Sequence, residues 1–64
     1  LLKGATEIEL ELGAKDGRAR AWLHRNGEVL SETTLDSGSV VITARLPNDR
    51  LGQFYSEFPD LNPA

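Results

Sequence analysis

His24 is the single histidine of the chain, next to Arg25 and off the apolar stripe of its segment. A zinc site or a Ser-His-Asp arrangement would have to be built around that one exposed ring, so the plainer reading is a solvent-facing helical histidine. Glu7, Glu9 and Glu11 stand at every second position. On a strand they share a face, where carboxylates can hold a hard cation, act as an acid/base pair, or simply solvate the strand and guard its edge. Arg18, Arg20 and Arg25 with Trp22 make a small basic and aromatic cluster, a combination that contacts phosphate and stacks on bases. Its plain alternative is a solvated helix face with Trp22 in the core. Ser37 lies between Asp36 and Gly38 with no base in sequence reach, and belongs to a turn. The glycines at 13, 17, 27, 38 and 52 fit neither the G-x-x-x-x-G-K-[ST] phosphate loop nor a G-x-G-x-x-G after a strand. No residue is assigned as catalytic, cofactor-binding or metal-ligating.

The whole chain sets the frame for those residues. Sixty-four residues allow one domain and leave no room for a cofactor cleft. Without cysteine there is no disulfide, no thiolate metal site and no thiol nucleophile, so secretion has no support and a reducing compartment is permitted. A net charge of −3 disfavours nucleic acid as a partner. No apolar run approaches the ~20 residues of a membrane span, and Leu1 with Leu2 is too short for a signal-peptide core.

Five elements must position the chemistry. Residues 6–12 alternate, with Ile8, Leu10 and Leu12 on one face and the three glutamates on the other, the period of a half-buried strand. Residues 13–16 break the pattern, and Asp16 is placed to accept hydrogen bonds from the free N–H groups of a following helix. That helix spans residues 17–25, with Ala19, Trp22 and Leu23 at i, i+3 and i+4. Asn26 and Gly27, which tolerate a left-handed backbone, end it. Residues 28–35 form a second strand of undecided facing, since Val29, Ser31, Thr33 and Leu35 share a face while Leu30 sits opposite. Asp36, Ser37 and Gly38 turn it into a third strand, residues 39–46, with Val40, Ile42, Ala44 and Leu46 inside and Pro47 as its stop. Asn48 or Asp49 caps a second helix whose stripe is Leu51, Phe54, Tyr55 and Phe58. Gly52 within it costs about 1 kcal/mol relative to Ala.

The order β-α-β-β-α predicts a split βαβ unit. Both helices then cover one face of a three-stranded sheet in the order 1-3-2, an α+β two-layer sandwich like a ferredoxin-like fold lacking its last strand. That missing strand would pair with strand one, whose open edge carries Glu7, Glu9 and Glu11 and offers a route to a weak homodimer.

The run Ala21-Trp22-Leu23-His24-Arg25-Asn26-Gly27-Glu28-Val29-Leu30, then a hairpin into Val40-Val41-Ile42-Thr43-Ala44-Arg45-Leu46-Pro47 and a closing helix, resembles the C-terminal domain of the HflX-type GTPases. The resemblance implies a single accessory domain over residues 1–64, with residues 1–4 the end of the preceding G domain and 59–64 a tail. For the parent it implies GTP and Mg as cofactors, association with the large ribosomal subunit, and splitting or rescue of ribosomes in the cytoplasm. The family's phosphate loop and switch segments have no counterpart here, so none of its functional residues carries over. Two other readings remain open at this point. One is a ligand-binding or oligomerisation module of the ACT or ferredoxin-like type. The other is an acylphosphatase-like enzyme, for which Gly13, Ala14, Lys15 and Asp16 make a short loop with an acid where an anion would sit.

Overall fold

A computed structural model describes residues 4–61. The elements are β1 (Ala5–Leu12), a 3-10 turn (Ala14–Asp16), α1 (Gly17–Asn26), β2 (Glu28–Thr34), β3 (Val40–Pro47) and α2 (Asn48–Glu57). β3 lies between β1 and β2 and runs antiparallel to both, giving the expected α+β arrangement. Leu1, Leu2 and Lys3, assigned to a preceding domain, and positions 62–64 of the tail lie outside the described residues.

β1 alternates as its sequence demands. Ile8, Leu10 and Leu12 are buried and Glu7, Glu9 and Glu11 exposed. Opposite them β3 buries Ile42, Ala44 and Leu46, and the helices add Ala19, Leu23 and Phe54 to form one core. Both helices therefore sit on the same face of the sheet. Trp22, Val29, Leu51, Tyr55, Phe58 and Leu61 close the margin of that core. The aromatic side chains form a cluster of tilted and edge-on pairs, with Phe54 at 5.3 Å from Trp22, Tyr55 and Phe58.

Four local expectations are corrected. Asp16 does not reach forward to α1. Its Oδ2 accepts from the Gly13 N–H at 2.9 Å, because the 3-10 turn, closed by Asp16 N–H to the Gly13 carbonyl at 3.0 Å, folds the side chain back. Gly27 is not left-handed. At φ −140° and ψ −171° it is extended, and its N–H closes α1 on the Leu23 carbonyl at 2.9 Å. What demands glycine is space, since a Cβ there would collide with Leu46 Cδ2 and lie 3.0 Å from the Arg45 carbonyl oxygen. Neither Asn48 nor Asp49 caps α2 through its side chain. The strand runs through Pro47 directly into the helix, and Asn48 ties that junction to the start of the neighbouring strand β1. Its N–H donates to the Gly4 carbonyl at 3.0 Å and its Oδ1 accepts from Thr6 Oγ1 at 2.5 Å. The fourth correction is in β2, which ends at Thr34 rather than at residue 35. Val29 pairs with Ala44 and Ser31 with Thr43, so Leu30 is an extra, bulged residue.

The hairpin turn forms as expected. Gly38 has φ 93°, the only positive φ among the described residues, and its N–H donates to the Leu35 carbonyl at 2.9 Å.

Candidate functional site

The bulge at Leu30 decides where the chemistry of β2 goes. In an unbroken strand that buries Val29, Glu32 would face away from the helices. One additional residue shifts the phase, and Glu32 instead stands opposite Ile42 on the helix-covered side, at the sheet margin beneath α1. There it meets Arg20 and His24, which stand one turn apart on α1 and so project from the same flank.

Glu32 Oε1 accepts from Arg20 Nε at 2.9 Å and Nη2 at 2.6 Å, and Oε2 lies 2.5 Å from His24 Nε2. An ionised carboxylate only accepts, so the ring nitrogen facing it carries the hydrogen. The Glu32 side chain is 22% exposed, while those of Arg20 and His24 are 52% and 48% exposed. Hydrogen bonding from Arg20 holds the Glu32 carboxyl below its ordinary value of 4.5, partial burial opposes this, and His24 adds to the lowering. Glu32 is thus an ionised group with both oxygens occupied. It is suited to anchoring α1 to β2 rather than to moving protons. β2 has no fully buried residue, so this polar clamp supplies what apolar packing supplies for β1 and β3.

The arginines foreseen as one cluster are divided. Arg20 belongs to the clamp. Arg18 lies over the Phe58 ring, with Cζ 5.8 Å from the centroid, on the opposite flank. Arg25 borders two open grooves, one lined by Gly17, Arg20, Ala21 and His24, the other by Arg18, Ala21, Trp22 and Phe58. Trp22 packs against Phe54 and Phe58, which commits its ring to the core margin. His24 is half exposed, as expected of a helical surface histidine, but it is hydrogen-bonded rather than solvated alone. No hydroxyl is bonded to its ring among the described residues.

Glu7, Glu9 and Glu11 face the side of the sheet away from the helices, opposite Arg45, Thr43 and Val41 in the register. Arg45 forms its ion pair across the sheet with Glu28, at 3.4 Å. Ser37 Oγ accepts weakly from the Ser39 N–H at 3.4 Å, as a turn hydroxyl does. Among the described residues no three or more His, Cys, Asp or Glu side chains gather in a way that could hold a metal ion, and no helix is long and apolar enough to cross a membrane.

Glu32 is the residue that sequence reasoning passed over. Its signal was the spacing of Arg20 and His24, a cationic pair of positions on one helical flank next to a strand that holds a carboxylate. No protein-family model, curated protein or solved structure matches this chain at a significant level. The likeness to HflX-type GTPases accordingly rests on the segments quoted for it.

Proposed function

We propose that this chain is a non-catalytic interaction module, the C-terminal accessory domain of an HflX-like, ribosome-associated GTPase. The observation that carries the non-catalytic part is Glu32. The carboxylate nearest to a histidine and an arginine has both oxygens engaged by them, and its lowered pKa leaves it ionised at neutral pH. It therefore fastens two elements together, with Arg20 on one oxygen and His24 on the other. The parent reading is supported by the resembling segments, which here form the junction from α1 through Gly27 into β2 and the whole of β3. In that reading GTP and Mg bind in the preceding G domain, the large ribosomal subunit is the partner, and the setting is cytoplasmic.

Two measurements test it. Calorimetry of GTP with Mg against the 64-residue chain should give no specific heat of binding, and saturable binding would overturn the non-catalytic reading. Cosedimentation with large ribosomal subunits should weaken as salt rises and weaken further on changing Arg18 and Arg25 to Gln, the two arginines of α1 not held by the clamp. Absence of cosedimentation at low salt removes the ribosomal reading.

A second reading, an oligomerisation or ligand-binding module of the ACT type, has one observation in its favour. Among the described residues β1 has no neighbour on its outer side.

A further inference from the structure

Among the described residues β1 hydrogen-bonds to β3 alone, so alternate residues of Ala5–Leu12 direct their N–H and C=O groups away from the sheet. Three surfaces border the vacant position beside it. On the side away from the helices run Glu7, Glu9 and Glu11, all exposed, and no ion pair reaches any of them among the described residues. On the helix side lies the buried row Ile8, Leu10 and Leu12. Above it is one flank of α2. Phe54 and Phe58 turn toward α1, where they touch Trp22, and α1 is itself fastened to β2 at the other margin. Leu51 and Tyr55 of α2 are half-buried against the core. α2 packs on β1 as well as on β3, so its apolar stripe borders the helix side of β1.

A strand entering that position must present apolar side chains to Leu51 and Tyr55 and cationic side chains to the glutamates, at a period of two. A second copy of this chain fits that position less well than a cationic strand. Any pairing of β1 with another β1 that keeps Ile8, Leu10 and Leu12 on the helix side places glutamate beside glutamate, whichever way the second strand runs. Like charges placed opposite one another destabilise a sheet.

We propose that the outer edge of β1 is a docking site for an extended segment of a partner protein in which cationic and apolar residues alternate, bound as a fourth strand of the sheet. The site stands independently of the HflX reading.

The probe is a capped octapeptide of alternating lysine and valine, with an alternating glutamate and valine peptide as control, titrated into the isotopically labelled chain. Amide shifts and slowed hydrogen exchange are expected along β1, with further shifts at Leu51 and Tyr55, for the lysine peptide only. The triple variant Glu7→Gln, Glu9→Gln, Glu11→Gln keeps the fold, because these side chains are exposed, and should bind about tenfold more weakly. It should also self-associate more readily than the parent chain in sedimentation. Equal binding of both peptides, an affinity unchanged in the triple variant, or shifts confined to α1 would overturn the proposal. A dimer of the unaltered chain with β1 protected from exchange would overturn it in favour of a second copy.

Discussion

Glu32 draws its position from a single bulged residue, and hydrogen bonding from Arg20 lowers its carboxyl pKa. Its carboxyl is held below 4.5 in the folded chain, so the clamp contributes stability that is fully present above that pH and is lost as the pH falls through the folded value. Glu32→Gln should lower the urea midpoint at neutral pH. The difference from the unaltered chain should close on acidification. A constant difference across that range would show that Glu32 acts through packing and not through charge. Two glycines should respond in opposite directions. Gly27→Ala drives a methyl group against Leu46 and the Arg45 backbone and should cost about 1–3 kcal/mol. Gly52→Ala should add about 0.5–1 kcal/mol, since a Cβ at this helical position meets nothing within 4 Å. Urea denaturation of both variants checks the pair, and equal signs would contradict it.

Among the elements, those with a strong period were legible from composition. β1 shows two-residue alternation and buries the residues that the spacing selects, and α2 carries an aromatic stripe at helical spacing of which Phe54 is buried and Leu51, Tyr55 and Phe58 are half-buried against the core. β2 was illegible because its period is interrupted. Val29 and Leu30 are adjacent apolar residues, and no local signal says which is the extra one. The capping residues misled for a related reason. Asp16 and Asn48 found partners closer than the helix N–H groups, in Gly13 and Thr6. The candidate site was legible only as its parts on α1, because its acceptor lies on the strand whose phase was hidden. Since Leu30 is surplus to the ladder, its deletion should leave Val29 and Glu32 on their present side. A well-dispersed amide spectrum that retains the acid signature of Glu32 is expected for this variant. If the fold persists and the signature disappears, the bend made by the bulge, not its shift of phase, brings Glu32 to Arg20.

For the molecule as a whole, one core on one side of one sheet makes stability depend on few side chains. Sixty-four residues at the usual value per residue give a total of roughly 3–10 kcal/mol. Phe54 is fully buried and touches three other aromatic rings, so Phe54→Ala, at about 3–5 kcal/mol, should remove most or all of that margin. Far-ultraviolet dichroism during heating checks this, and a cooperative transition at the temperature of the unaltered chain would contradict it. The central place of β3 also has a consequence for how the chain is made. Synthesis runs from the N-terminus, so β1 is released early, yet its partner strand and the Asn48 contact to Thr6, 42 positions further on, come late. Until then Ile8, Leu10 and Leu12 have nothing to pack against. During that interval the alternating glutamates keep the strand in water, and closure of the sheet waits for β3.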